Sequence, residues 1–262
     1  MRPPGPGRMS GAVMAGFRGG GTGPVDVRVV PHPAVTLVLE FGNGPLVVDA
    51  ATGRRQRGNL VAGFLHDAVR VRGRNIECVQ VRLSPVVARA VLGVSPSELD
   101  RTVVALDDVW GRDAERIRQQ LGDAASWRDR FALVEELLGR RAETGPPVDP
   151  QVARAWERIV AGRGRARVED LAAEVGWSRK RLWTRFRSQI GLPPKRAARL
   201  VRFDHAAHRL AAGQGAALVA ASSGYVDQSH LHRDVLAFTA MTPAAVVRQP
   251  WLAVDGIAWA TA

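Results

Sequence analysis

The residues with the clearest chemical potential lie in two short segments of the C-terminal half, residues 179–190 and 228–238. At about 100° per residue, each segment has one apolar side and one outward side that is polar and cationic. The outward residues are Lys180, Trp183, Thr184 and Arg187 in the first segment and Ser229, His232 and Arg233 in the second. On a helix lying in the major groove of DNA, Arg and Lys donate to guanine acceptors and apolar groups meet thymine methyls. We therefore predict that these residues contact bases.

Both segments belong to an internal repeat with a period near 49 residues. EDLAAEVGWSRKRLWTRFR and LVAASSGYVDQSHLHRDVLA each place a glycine (Gly176, Gly224) and then a capping side chain (Ser178, Asp227) between two helical patterns. Glycine ends the first helix in a left-handed conformation, and Ser or Asp accepts hydrogen bonds from the free N–H groups of the next helix. The repeat therefore predicts two helix-turn-helix units.

One long helix must hold the two units apart. Residues 194–212 carry apolar side chains at helical spacing, and a helix of that length would measure about 28 Å. This suits two recognition helices about 34 Å apart, in successive major grooves on one face of the DNA. Residues 179–209 contain ten Lys and Arg against one Asp. The predicted phosphate contacts are Arg179, Arg181, Lys195, Arg196 and Arg199.

The position of the net charge favours a polyanionic partner for the C-terminal part. The chain has 37 basic and 25 acidic residues, a formal charge of +12, and residues 150–250 hold 17 of the basic and 7 of the acidic ones. All but two of the basic residues are Arg, a bias that genome composition alone can produce, so the location of the charge is more informative than its amount. The single cysteine, Cys78, excludes an internal disulfide and a Cys-based zinc finger.

No run of residues approaches the roughly 18 apolar residues that a membrane span needs. The glycine- and proline-rich start also lacks the apolar core of a signal peptide. We expect a cytoplasmic protein with no membrane partner.

The N-terminal half has the pattern of a β-rich domain. Residues 1–24, rich in Gly and Pro, are predicted to form a disordered leader. Between residues 25 and 83, six β-branched runs alternate with turn signals, which is typical of a small sandwich or barrel. Helical patterns follow at residues 84–92, 95–100, 107–121 and 126–140.

The predicted fold class is α+β with two domains. The N-terminal domain, residues 25–141, is a β-rich sandwich or barrel with helices, acting in sensing or dimerisation. A linker at 142–150 joins it to an all-α double helix-turn-helix domain at 151–248, and a tail follows at 249–262.

Residues 151–248 resemble the DNA-binding domain of AraC/XylS-type bacterial transcriptional regulators. The resemblance rests on GYVDQSHLHRDVLAFTAMTPAAV and on FRSQIGLPPKRAARLVRF. It implies that each recognition helix enters a major groove of double-stranded DNA at a promoter or operator. Thr184 stands where the family usually has Arg, Val235 and Val246 where it has aromatic residues, and Ala240 where it has Gly.

The front half resembles, less distinctly, the β-rich domain attached to some of these regulators. The matching segments are VPHPAVTLVLEF and SPSELDRTVVALDDVWG. This resemblance implies a domain that binds a small-molecule effector or forms a homodimer. RNA polymerase is a further partner expected of a regulator of this type.

Other chemistries have weaker support. A cupin-like metal centre needs several His and a carboxylate, whereas the N-terminal half holds only His32 and His66, so no metal and no cofactor is predicted. His205 and His208 form an i, i+3 pair without an evident third ligand. Cys78, in IECVQV, is interpreted as a small buried apolar side chain. We expect no catalysis.

Two alternatives from other functional classes stay open. One is a cupin-like small-molecule-binding protein or enzyme with an incidental basic helical domain. The other is a protein that silences other regulators without touching DNA. The second would be favoured if Thr184 and the weakly apolar helix ALVAASS have lost the groove contacts.

Overall fold

The structure of the protein is a computed structural model in which the described residues are 1, 9–19, 24–49, 55–65, 67–99 and 102–248. The predicted tail at 249–262, residues 2–8 and 20–23 of the predicted leader, and His66 lie outside the described residues.

The predicted disordered leader is wrong at residues 12–18, which form a strand, β1 (Ala12–Arg18). This strand pairs antiparallel with residues 77–83 along its full length. Because the surrounding residues are rich in glycine, the sequence pattern does not indicate a strand here. Gly16 has a packing role, since the ring of Trp127 lies against it and a Cβ at this position would collide with that ring. Pairing with a buried neighbour and burial of Met14 and Ala15 stabilise a segment whose composition alone would not.

Each of the six predicted β runs contains a strand, and short strands are added around them. The further strands are β2 (Val25–Val29), β3 (Val35–Glu40), β4 (Val47–Asp49), β5 (Arg55–Arg57), β6 (Leu60–Ala62), β7 (Val69–Gly73), β8 (Glu77–Leu83) and β9 (Val103–Ala105). They form two antiparallel sheets, with strand orders β1-β8-β3-β6-β9 and β2-β7-β4-β5.

The larger sheet is covered on both faces. Because successive side chains of a strand point to opposite faces, Val38 of β3 faces the smaller sheet while Leu37 and Leu39 face the helices. Every residue of β3 is consequently buried. This double cover explains why the segment VTLVLE is nearly continuously apolar instead of alternating.

The helices against this sheet are α1 (Pro85–Leu92), α2 (Asp107–Trp110), α3 (Arg112–Asp123) and α4 (Trp127–Thr144), with a 3₁₀ helix at Pro96–Leu99. The single helix predicted at 107–121 is two helices. Gly111 separates them with φ 56° and ψ −131°, a backbone conformation that residues other than glycine rarely adopt. The Ser126 side chain caps α4 by accepting from the N–H of Asp129.

The C-terminal part is helical throughout its described length, as predicted. Its helices are α5 (Pro150–Ala161), α6 (Val168–Glu174), α7 (Arg179–Ile190), α8 (Pro194–Ala211), α9 (Ala216–Ser222), α10 (Gln228–Thr239) and α11 (Pro243–Val247). The predicted fold class, a β-rich domain followed by a helical double helix-turn-helix domain, is confirmed. Within the described ranges, no helix is both long and apolar enough to cross a membrane.

The two parts share an apolar contact. Val30, just after β2, and Phe64, just after β6, are buried in the same cluster as the core of the helical part. Nearby, the Ser95 hydroxyl donates to the carbonyl of Ser188 on α7 at 2.7 Å. The β-rich part is therefore packed against the first helix-turn-helix unit.

Candidate nucleic-acid interface and effector cavity

The turn of the first unit, between α6 and α7, has the predicted geometry. Gly176 is left-handed with φ 68°, and the Trp177 N–H donates to the Ala172 carbonyl at 3.0 Å. The Ser178 side chain then accepts from the N–H of Arg181 at 3.2 Å. Glycine thus turns the chain, and serine satisfies a free donor at the start of α7.

The second turn, between α9 and α10, repeats this arrangement. Gly224 has φ 76°, and the Tyr225 N–H donates to the Ala220 carbonyl at 3.1 Å. The Asp227 carboxylate accepts from the N–H of His230 at 2.6 Å. The same local chemistry therefore directs α7 and α10 away from their preceding helices.

The outward face of α7 is exposed, with Leu182 and Phe186 fully buried behind it. Trp183 is 44% exposed, and the guanidinium carbon of Arg187 lies 5.2 Å from the centre of its ring. This cation–π contact orients two of the predicted base-contacting side chains toward each other. The Thr184 hydroxyl donates to the Lys180 carbonyl at 3.0 Å, so its proton is already bound within the helix while its oxygen can still accept.

The outward face of α10 is also exposed but carries fewer cations. Ser229, His232 and Arg233 are exposed, and Leu236 is 52% exposed beside them. The Arg233 guanidinium donates to the Ser229 carbonyl over a long 3.4 Å contact. The structure thus places each group of predicted base-contacting residues together on its own recognition helix.

Asp234 is an important residue that the sequence analysis missed. It is 3% exposed, and its carboxylate accepts from Arg199 at 2.8 Å and from Arg202 at 3.3 Å. Arg202 also lies over the ring of Tyr225, with 4.6 Å to the ring centre. The signal available in the sequence was two arginines three residues apart on one helix and one acid among the apolar positions of another.

The predicted phosphate contacts have different surroundings. Arg179 pairs with Glu169 at 3.4 Å, and Arg181 lies over the Trp177 ring at 4.7 Å, while Lys195 is exposed.

Arg199 makes the ion pair with Asp234, so a phosphate contact there would compete with a buried carboxylate. Arg196 is partly buried. The structure brings Arg179 and Arg181 onto the first turn of α7 and Lys195, Arg196 and Arg199 onto α8.

Further cations, which the sequence analysis did not single out, gather near His205 of α8. The pKa of His205 is lowered, first by burial and then by Arg163 and Arg209, so the ring is neutral at neutral pH. The side chain of Arg165 packs on Gly224, where a Cβ would lie 2.8 Å from its Cγ. The loop before α6 therefore contacts the turn of the second unit.

Asp149, in the predicted linker, is bound to α7. Asp149 forms a two-pronged ion pair with Arg185, at 2.8 and 2.9 Å. Its N–H donates to the side-chain oxygen of Gln189, a buried residue, at 2.7 Å. These contacts fix the start of α5 against α7.

A cavity of about 500 Å³ lies between the two sheets of the β-rich part. Alternate residues of facing strands line it, including Val38, Val48, Val71 and Cys78. Burial, followed by the neighbouring charge of Glu40, raises the pKa of Cys78 to about 12, so its thiol is uncharged at neutral pH. The interpretation of Cys78 as a buried small apolar side chain agrees with this position.

Among the described residues, no group of three His, Cys, Asp or Glu side chains is arranged to hold a metal ion. His32 lines the cavity and its Nε2 lies 2.9 Å from the Thr36 hydroxyl oxygen. His208 contacts the Asp204 carbonyl through Nδ1 at 2.8 Å.

Residues 171–249 match a family model described as a helix-turn-helix domain, of the AraC type. No curated protein sequence matches the chain.

Solved structures are similar in fold. ToxT from Vibrio cholerae aligns with a TM-score of 0.50 and 11% identity, over 91% of this chain and 98% of ToxT. ToxT from Vibrio cholerae O395 bound to (E)-4-(8-methylnaphthalen-1-yl)but-3-enoic acid gives the same four values. The AraC-like transcriptional activator CuxR aligns with a TM-score of 0.32 and 14% identity, over 67% of this chain and 70% of CuxR. The likeness to ToxT at this identity shows a shared two-domain fold.

Proposed function

Residues 171–249 form a helix-turn-helix domain of the AraC type, and we propose that the chain is a transcriptional regulator that inserts α7 and α10 into successive major grooves of double-stranded DNA. The observation that carries this proposal is the repetition of one capped turn, at Gly176 and at Gly224, in front of two exposed polar helix faces. Between them, α8 has 18 residues and a length of about 27 Å, which suits adjacent grooves.

The proposed base contacts are the exposed faces described above, and the proposed phosphate contacts surround them. Lys180, Arg187 and Arg233 would donate to guanine edges, whereas Trp183 offers an apolar surface to thymine methyls. Arg181 and Lys195 are the best placed of the phosphate candidates because neither has an acidic partner among the described residues. Such a role requires no catalysis and no cofactor.

We propose the domain division predicted from the sequence. In it, residues 25–141 form a sensor or dimerisation domain, 142–150 a linker and 151–248 the DNA-binding domain; β1 belongs with the sensor because it pairs with β8. A homodimer, RNA polymerase and a cytoplasmic location remain predictions.

Control by a small molecule is supported by the connection between the cavity and the core of the helical part. Leu65 lines the cavity, and the adjacent Phe64 is buried in the core of the helical part. In the same way, Val29 lines the cavity and the adjacent Val30 is buried in the core of the helical part. A ligand that moved either segment would therefore change the packing of the helical core. ToxT, which has the same fold, has been crystallised with an aryl butenoic acid.

The test of DNA binding is selection of duplex fragments from a random pool by the full chain. We expect one enriched sequence with two half-sites about one helical turn apart. The double variant Lys180→Ala, Arg233→Ala should lose that preference, whereas Arg128→Ala, a change at an exposed arginine of α4, should retain it. Failure to enrich any sequence would contradict the proposal and favour the cupin-like or the silencing alternative.

A further inference from the structure

We propose that the cavity between the two sheets takes an uncharged, largely apolar molecule with one hydroxyl or carbonyl group, bound through the side-chain amide of Gln80. This inference rests on the proposed function, in which the cavity is the effector site. It also separates this chain from its structural neighbour, whose bound compound is a carboxylic acid.

The walls of the cavity are apolar on both sides. Valines from the smaller sheet, such as Val27 and Val71, face Val38 and Leu60 of the larger sheet. A volume of about 500 Å³ is within the usual range for a drug-sized ligand, and most of the binding free energy would come from apolar area removed from water.

The charged residues of the described lining are already neutralised. Arg18 is paired with Glu77 on the neighbouring strand. Asp26 accepts a two-pronged contact from Arg70, at 2.7 Å for the Nε donor, which lowers the pKa of that carboxyl and keeps it ionised. All four of these side chains are partly exposed, which places the charges at the rim.

A buried carboxylate would therefore lose its hydration without gaining a free cation from these residues. Burial of an unpaired charge is far more costly than burial of a hydroxyl, which needs only one or two hydrogen bonds. The neutral Cys78 thiol adds no charge to the wall.

Gln80 supplies a polar contact in this mostly apolar wall, in which the other two uncharged polar side chains described, His32 and Thr36, are engaged with each other at 2.9 Å. It lies on β8 two residues after Cys78, on the same face, and lines the cavity. Its amide makes no hydrogen bond with another described residue, so it has both a donor and an acceptor available. An amide recognises a hydroxyl or a carbonyl equally well and prefers neither sign of charge.

The experiment compares naphthylbutanol with naphthylbutanoate, two compounds of equal size, by calorimetric titration into the full chain at pH 7.5. We expect the alcohol to bind at least about tenfold more tightly than the carboxylate. Equal affinities, or tighter binding of the carboxylate, would overturn the proposal. If neither compound binds while the same preparation still selects DNA, the ligand inference fails and the proposed DNA-binding function stands.

A variant at the anchoring residue makes the test specific. Gln80→Leu keeps the volume and should weaken naphthylbutanol about tenfold, as expected for one lost hydrogen bond in an apolar site, while butylnaphthalene, which has no polar group, binds as before. Gln120→Leu, an exposed change on α3, is the matched control and should change neither. An unchanged affinity of naphthylbutanol for Gln80→Leu would remove Gln80 from the site.

Discussion

The two helix-turn-helix units share one turn design but are held in the molecule by different contacts. In the first, Arg185 of α7 is paired with Asp149 of the predicted linker, and the Ser188 carbonyl accepts from Ser95, which directly precedes the 3₁₀ helix. In the second, α10 is anchored on α8 by the buried Asp234. The first unit is therefore the one that the β-rich part can influence directly, and the second depends on an internal ion pair.

The ends and the faces of the recognition helices differ as well. Gly191 ends α7 with φ 96°, whereas Ala240 ends α10 with φ 53°, a left-handed conformation that costs a residue with a Cβ about 1 kcal/mol. The outward face of α7 has two cations and a tryptophan, and that of α10 has one permanent cation. A shared motif thus presents two different outward faces, and the proposed DNA contact of α7 is the stronger one.

The largest effect is expected from Asp234→Ala, which should lower the free energy of unfolding by about 3 kcal/mol because two arginines then lose their buried partner. Urea denaturation of the full chain measures this. Asp123→Ala, at an exposed carboxylate of α3, is the control and should change stability by less than about 0.5 kcal/mol. Similar small losses in both variants would show that the ion pair does not anchor the second unit.

Base recognition should be stronger under α7 than under α10. Lys180→Ala and Arg233→Ala are each expected to cost about 1–3 kcal/mol at the selected site, with the greater loss for Lys180, and little on random DNA. Systematic base substitution across the site, scored by equilibrium binding, checks the ranking. Larger penalties in the half-site under α10 would reverse it.

The salt dependence separates true phosphate contacts from structural arginines. Six phosphate contacts would give a slope of about −5 in a plot of log affinity against log salt concentration. Each lost phosphate contact should reduce the magnitude of that slope by about 0.9. We expect this reduction for Arg181→Ala. Arg199→Ala should lower protein stability and leave the slope nearly unchanged, because Arg199 is paired with Asp234. A reduction of the slope by Arg199→Ala would mean that the ion pair opens on DNA.

The smallest effect concerns the end of the second recognition helix. Ala240→Gly should raise the free energy of unfolding by about 0.5–1 kcal/mol, since glycine accepts the left-handed conformation without strain. Ala237→Gly, in the same helix but at a helical position, should lower it by about the same amount. Thermal unfolding of the two variants measures both effects. If Ala240→Gly does not stabilise the protein, the left-handed conformation of Ala240 is not strained.

Much of the helical part could be predicted from the sequence because its signals are local. The bounds of α7 follow from the Ser178 cap and from Gly191, and those of α10 begin at the Asp227 cap. The exposed and buried faces follow from the spacing of residues such as Leu182 and Phe186. Caps, turns and helical periodicity act over a few residues, so a single sequence carries them.

The features that the sequence did not reveal depend on residues far apart in the chain. Strand β1 exists because β8 pairs with it from far along the chain, with Ala12 opposite Leu83 and Arg18 opposite Glu77. The role of Asp234 appears only when α8 brings Arg199 and Arg202 to it. The cavity likewise forms only when two sheets face each other. Local hydrogen bonding and periodicity determine the recognition helices from the sequence alone, whereas strand partners, buried ion pairs and cavities were decided by the tertiary structure, since their free energy comes from long-range contacts.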